Sequence, residues 1–474
     1  MKEDILQETW DKLRPYQKAG IQQMQSRNRW LMCDDMGLGK TVSCIVSALQ
    51  RAHTSTRTRV LVLSGANAMG VWKQEFEKWA GIKATVYSGT PTQRRKIWEQ
   101  FHADEEKHEM QAMITTYAML KELPPGWAAM FCDEYHQAGL MNHKTKTYQL
   151  VQTHVPYVDY LYLMTGTPVR QGVIDLYAPL HLVDPVAFGN YWSFVNRYCI
   201  TIPTPFGKSI ERNPKNISEF RIMLNKYMVR RLKFEVLKDL PGKQRNAIPL
   251  TMTNLQAKAY RQLEEEMVYV DDDAAIIAPN QMTVALRLRQ LLVTPRLLGI
   301  DDDGAGFNYL TEVVPTLLTK HRPIVIFTPF RQAVPLLADL IHSWQLGTKI
   351  YTLTGGMTPA AFANEWQAFQ DPKNKNKVLL CVIKSGASFH ATESADCYFL
   401  GYEWDFNLNV QAEDRLCRLG QVNFVQCNYF VHDGDSVDEA VKARLNEKQL
   451  SADFIIGSEK QFKEIMRKVR HTNG

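Results

Sequence analysis

Apolar residues along this chain come in two rhythms. Short β-branched and aromatic runs, each bounded by turn residues, alternate with stretches whose apolar positions recur every three or four residues. "RWLMCDD", "RVLVLSG", "AMITTY", "AMFCDE" and "YLYLMTGT" read as strands; "TVSCIVSALQRA" and "GVWKQEFEKWA" read as amphipathic helices. Buried strands separated by helices predict a parallel α/β sheet over residues 1–183. The alternation then fades. Residues 184–235 are rich in aromatics and read as mostly helical, with "TPFGKSIERNPKN" as a loop among them. "NLQAKAYRQLEEEMVYV" and "MTVALRLRQLL" read as helices on either side of the acidic, irregular "DDDAAIIAPN". After a break at "IDDDGAGFN", alternation returns in "PIVIFTPF", "KIYTLTGG", "KVLLCVIKSG", "DCYFLGYEW" and "VQCNYFVHDG". The predicted organisation is an α/β lobe over 1–183, a helical region over 184–300 and a second α/β lobe over 301–474.

Composition narrows the class without choosing a function. An apolar share of 45% against 22% charged residues supplies ample core and excludes a disordered chain. The formal charge of +6 is compatible with a polyanionic partner and does not require one. The eight cysteines form no C-x-x-C, and several stand in apolar runs such as "MFCDE" and "VLLCV". They read as buried thiols, not as a disulfide framework or a zinc site. The first residues lack the apolar core of a signal peptide, and no run of about 18 apolar residues would span a bilayer. No membrane partner is expected.

The chemistry begins at "CDDMGLGKT". It ends like a phosphate loop, yet Asp34 stands where the strict G-x-x-x-x-G-K-[ST] pattern has glycine. The setting is nevertheless strand, glycine loop, helix. Gly37, Leu38 and Gly39 would turn backbone amides toward phosphates at the helix N-terminus, Lys40 would reach the β/γ-phosphates of ATP, and Thr41 would ligate Mg2+. Asp34 and Asp35 are expected to turn away from the triphosphate, toward backbone amides or a basic side chain, because an unpaired carboxylate facing it would be repelled. Downstream, "AAMFCDEYH" places Asp133 and Glu134 at the tip of a buried strand. Asp133 would hold Mg2+ and Glu134 would orient and deprotonate the attacking water. His136 could couple this pair to its neighbours, and the hydroxyls of "LMTGTP" could relay the state of the nucleotide.

The order of these motifs resembles the Swi/Snf-type ATPases of helicase superfamily two. The resemblance runs from "LRPYQKAGI" through "DDMGLGKT", "VWKQEFEKW", "DEYH", "MTGTPVRQGVIDLYAPLHLVDP" and "YMVRRLKFEVLKDLPGK" to "LRLRQLLVTPRLL", "VIKSGASFHATESAD" and "QAEDRLCRLGQ". It implies two RecA-like lobes and a DNA-dependent ATPase with Gln17 as the adenine reader. In "QAEDRLCRLGQ", Gln411, Arg415 and Arg418 follow helical spacing on one face. The resemblance implies that Gln411 contacts nucleotide and that the two arginines reach the phosphates as lobes close, stabilising the transition state. The chain departs from the family at Gly65, usually proline, at Tyr135, usually small, and at Gly386, Ser388, Phe389 and His390, where a glycine-rich "GxGLNL" is usual.

The resemblance also implies backbone contacts to double-stranded DNA with little sequence preference. Candidates are Thr115, Thr116 and Tyr117 in the first lobe and Lys384 and Ser385 in the second. Arg230, Arg231 and Lys233 form either a basic strip for DNA or a brace between lobes. "DPKNKNK" and the acidic triplets at Asp271 and Asp301 read as solvated loops, and "DEEKH" near Asp104 as a solvated helix face rather than a nuclease site. The leading reading is an ATP-driven translocase on duplex DNA, acting as a monomer. The alternatives are a strand-separating helicase and an ATP-gated DNA-binding scaffold. Lacking accessory-domain motifs, the chain reads as a compact motor aimed by a separate targeting protein. Its expected place is the cytoplasm of a bacterial or virus-infected cell, or the nucleus of a eukaryote.

Overall fold

The computed structural model describes residues 3–52, 57–103, 110–204, 207–270, 275–385, 389–418, 420–433 and 436–457. The chain divides into two compact units, Met1–Lys238 with Lys448–Gly474, and Asp239–Glu447. The stretch 184–300 is thus shared between them.

The first unit is built on strands β1 (Arg29–Met32), β2 (Arg59–Ser64), β3 (Thr85–Val86), β4 (Gln111–Thr116), β5 (Trp127–Cys132) and β6 (Val158–Met164). A hairpin, β7 (Cys199–Thr204) and β8 (Gly207–Pro214), stands apart, and β9 (Met228–Val229) completes the sheet. The order is β3-β4-β2-β5-β6-β1-β9, parallel throughout. Its strands read as continuous apolar runs because helices cover both faces. Leu31, Leu61 and Leu63 enter one core, while Trp30, Met32, Val60 and Val62 enter the other. One-residue alternation thus feeds two opposite cores.

The second unit contains β10 (Lys243–Leu250), the antiparallel pair β11 (Val268–Val270) and β12 (Ala275–Ile277), then β13 (Ile324–Thr328), β14 (Lys349–Leu353), β15 (Lys377–Val382), β16 (Asp396–Phe399) and β17 (Val425–His432). Its parallel sheet has the order β10-β17-β16-β13-β15-β14. Both sheets are parallel and flanked by helices, the α/β architecture that the two alternating regions predict.

Three local readings are corrected. "TPFGKSIERNPKN" is largely the return strand of the β7–β8 hairpin, not a loop. The helix begun at Asn254 ends at Glu265, and the "VYV" that follows pairs with Ala275–Ile277 inside the supposedly irregular stretch. The second acidic triplet is tied in rather than purely solvated: Asp302 accepts from the Thr253 hydroxyl and, at 2.9 Å, from the Gly304 amide. Asp271 and the "DEEKH" segment lie outside the described residues. Among the described residues, no helix is long and apolar enough to cross a membrane. All eight cysteines are buried thiols.

Candidate active site

Four neighbouring strands, β5, β6, β1 and β9, deliver their C-terminal ends side by side. Met32 is in register with Met164 and Val229, and Cys132 with Leu163. Ligands of parallel α/β sheets bind at such ends. Pairing continues past the strands: Cys33 N donates to Val229 O (2.8 Å), Asp35 N to Arg231 O (3.0 Å) and Thr165 N to Met32 O (3.1 Å).

From β1 the chain enters the glycine loop. Gly37 and Gly39 adopt φ of 82° and 76°, the left-handed region that glycine enters without steric cost. A side chain on Gly39 would also stand 2.4 Å from Gln17 Nε2. Lys40 and Thr41 begin the helix Lys40–Ala52, and both are half-buried. Lys40 Nζ donates to the carbonyls of Asp34 (2.9 Å) and Asp35 (3.4 Å), bridging the loop it leaves. Gln17, on the helix Pro15–Met24, is held at both ends of its amide. Its Oε1 accepts from Arg14 N at 2.9 Å and its Nε2 donates to Leu38 O at 3.2 Å. The structure therefore brings Gln17 onto the loop formed by Gly37, Leu38 and Gly39.

The acidic pair has the kind of partners expected of it. Asp34 is fully buried and receives a fork from Arg231, whose Nε lies 2.9 Å from Oδ1 and whose Nη2 bonds Oδ2. The Arg231 amide adds a bond to Oδ1 at 2.8 Å. Asp35 accepts from Lys233 N at 2.9 Å and lies 3.3 Å from Arg230 Nη2. The "MVRRLK" segment is thus a brace, but one internal to the first unit. It supplies the opposite charge that lets a carboxylate stand where the strict loop pattern has glycine.

At the tip of β5, Asp133 Oδ2 accepts the Trp72 indole N–H at 2.8 Å and Oδ1 accepts Glu134 N at 3.0 Å. Burial, with the adjacent Glu134 charge, pushes Asp133 up to about 6; the Trp72 bond and Lys40 pull it back. Glu134 has a left-handed backbone (φ 44°). Its Oε2 lies 3.2 Å from His136 Nδ1 and 3.3 Å from Thr165 Oγ1, while Thr165 and His136 are 2.8 Å apart. Burial would raise Glu134, but the His136 bond and charge, with Lys40, hold it below the usual carboxylate range. Thr167 N donates to Thr165 Oγ1 at 3.0 Å, so "TGT" joins the same network. Tyr135 is fully buried in the core behind it, which accommodates its bulk. Gly65 has φ −67°, a conformation open to proline.

In the second unit, the helix carrying Gln411 spans Phe406–Glu413 and stops. Arg415 and Arg418 follow in turns, so the three residues do not share one continuing helix face. The arginines converge by another route: Nη1 of each lies 3.3 Å from Phe389 O. Arg415 also lies over the Phe389 ring, 5.7 Å from its centroid, and its carbonyl accepts Ala391 N at 2.7 Å. Gln411 is buried.

Residues 16–297 match the model of the SNF2-related domain. The chain belongs to that family. Among curated relatives, chromodomain-helicase-DNA-binding protein 9 of Mus musculus is 25% identical over 87% of this chain and 15% of its own length. The chromatin structure-remodeling complex subunit snf21 of Schizosaccharomyces pombe is 27% identical over 92% of this chain and 38% of its own. The SNF2 chain here spans less than two fifths of the length of these relatives. The solved Sulfolobus solfataricus SWI2/SNF2 ATPase core in complex with dsDNA aligns over 95% of this chain and 94% of that one, at 22% identity and a TM-score of 0.42.

The DNA-contact candidates of this SNF2 chain meet different fates. Thr115 is fully buried and its hydroxyl donates to Tyr87 O at 2.8 Å, so this strand-end threonine belongs to the core and its side chain is not presented to a phosphate. Tyr117 is half-buried and donates to Asp133 O at 2.7 Å, which makes it a support of the strand tip that carries Asp133. Thr116 is half-buried. Lys384 is exposed and lies 3.1 Å from the buried Glu403. The side chain of Ser385, with Gly386 and Ser388, lies outside the described residues. Sequence reasoning missed two groups. Trp72 read only as apolar. Glu413 is a fully buried carboxylate bonded by Lys243 (2.8 Å), Arg245 (2.6 Å) and Tyr429 (2.7 Å).

Proposed function

We propose that this chain hydrolyses ATP and couples hydrolysis to movement along duplex DNA. The observation that carries the reading is the convergence of the glycine loop, the Asp133–Glu134 tip and the Thr165–Thr167 turn at neighbouring strand ends. Lys40 meets the β/γ-phosphates, Gln17 reads the base, and Glu134, held ionised by His136, Thr165 and Lys40, orients the attacking water and takes its proton. The donor set fits Mg2+: the Thr41 hydroxyl and the Asp133 carboxylate are hard oxygen ligands. The ion would supply charge neutralisation on the phosphates. Arg415 and Arg418 are assigned the compensation of charge on the transferred phosphoryl group.

DNA as partner is supported by family membership and by relatives named as DNA-binding and chromatin-remodeling proteins. ATPase rates against duplex, single-stranded and branched DNA test the proposal. Duplex should stimulate the wild type most, and Lys40→Ala should lower kcat by about 10²-fold or more. Stimulation by single strands or RNA alone would remove the duplex-motor reading. A Lys40→Ala chain of full activity would remove the site.

A further inference from the structure

Arg231 does more than neutralise Asp34. Its third arm, Nη1, donates to the carbonyl of Tyr16, and the guanidinium lies over the Tyr16 ring, 5.4 Å from its centroid. That carbonyl belongs to the helix Pro15–Met24, and Gly20 stands one turn further on. A Cβ on Gly20 would lie 2.4 Å from Nη1 and 2.5 Å from Nη2. The missing side chain is what opens the Tyr16 carbonyl to the arginine. One planar cation therefore joins three elements: the end of β9, the start of the phosphate loop at Asp34, and the helix whose next residue is Gln17. Gln17 in turn lies against Leu38 and Gly39 of the same loop. A rigid fork with fixed donor directions suits such a strut, where a lysine ammonium would not.

We infer that Arg231 is a positioning residue for base selectivity: it sets the register between the Gln17 helix and the phosphate loop, so that nucleotide is discriminated by its base and not only held by its phosphates. The inference rests on the nucleotide-site reading above. In Gly20→Ala, which keeps both charges of the Arg231–Asp34 pair, loss of the strut to the Tyr16 carbonyl leaves Lys40 and the glycine loop in place, whereas Arg231→Gln also strips the buried Asp34 of its cation. Loss of the strut therefore acts on the ratio of ATP to GTP affinity more than on triphosphate affinity itself.

The test is competition of ATP and GTP against a fluorescent ATP analogue on the full chain. The variants are Arg231→Gln, Gly20→Ala, Gln17→Ala and Arg231→Gln with Gln17→Ala. Gly20→Ala pushes the guanidinium aside while keeping every charge, so it answers the question if Arg231→Gln folds poorly. The wild type should prefer ATP. Arg231→Gln should erode that preference by about tenfold, the scale of a lost charge-assisted hydrogen bond, and Gly20→Ala should erode it in the same direction. The double variant should lose no more than Gln17→Ala alone, because both changes act through one amide. An unchanged ATP:GTP ratio in Arg231→Gln and Gly20→Ala overturns the inference and leaves the site standing. Additive losses in the double variant overturn it as well. A wild type that binds neither nucleotide overturns the site reading and this inference together.

Discussion

Trp72 sits in the core, stacked on Phe131 at 5.6 Å, yet its one polar atom is bonded to Asp133. A sequence pattern registers Trp72 as an apolar helix position and stops there. The acceptor is 61 positions away, and only the packing of the Met69–Ala80 helix on β5 brings them together. The same limit explains Thr115, whose burial follows from its place inside a covered sheet, not from its residue type. By contrast the placement of Lys40, Asp133 and Glu134 at neighbouring strand ends was legible from local context: a glycine loop entering a helix, and acids ending an apolar run. Trp72→Phe keeps the stacking and deletes the N–H. It should raise the Mg2+ concentration for half-maximal ATPase by about tenfold, as loss of an outer-sphere partner does. The melting free energy should drop by only about 1 kcal/mol. Metal titration of the ATPase beside a denaturation curve reads both.

At the scale of elements, the apolar strands of both sheets were legible, since burial on both faces writes them as unbroken runs. β10 was not. Its sequence "KQRNAIPL" opens on four polar residues in a row, because the strand lies at a sheet edge and turns Lys243 and Arg245 toward Glu413. The hairpin β7–β8 was hidden by glycine and prolines that read as loop. The end of the Phe406–Glu413 helix was hidden as well, because the residues beyond it keep a helical spacing that the backbone abandons. Glu413 holds that end. Burial would raise its carboxyl, but the charges of Lys243 and Arg245 hold it below the ordinary glutamate value. A depressed carboxyl contributes stability that is complete above about pH 4.5 and fades as pH falls through the folded value. Glu413→Gln should therefore destabilise the protein by about 3 kcal/mol at pH 7, leaving two cations facing each other. The gap to the wild type should narrow below about pH 4. Paired thermal melts at the two pH values check the size and the sign.

For the whole molecule, the notable feature is that the first unit is discontinuous. Ile455 and Ile456 belong to the same core as Leu61, Leu163 and Phe220. Arg221 donates to the carbonyls of Phe454 and Ile455, each at 3.2 Å. Arg230 bonds Ile456 O through Nε (3.2 Å) and Cys33 O through Nη1 (2.7 Å). One arginine thus spans from these last turns to the strand that feeds the phosphate loop. Nothing in the periodicity of Val437–Ile456 signals this, since a helix pattern names a buried face but not the body that buries it. Ile455→Asp should destabilise the first unit by at least about 3 kcal/mol and weaken ATP binding, although it lies far along the chain from Lys40. Nucleotide titration monitored alongside unfolding would reveal both losses. The arrangement also has a consequence for biosynthesis. On a ribosome, residues up to Lys238 emerge early but lack the side chains that close their core. The whole of Asp239–Glu447 must be translated first, a wait on the order of 10–40 s at about 5–20 residues per second. During that interval the nascent phosphate-loop lobe presents an unfinished apolar face, which makes it a client for chaperones until the segment that closes its core has been made.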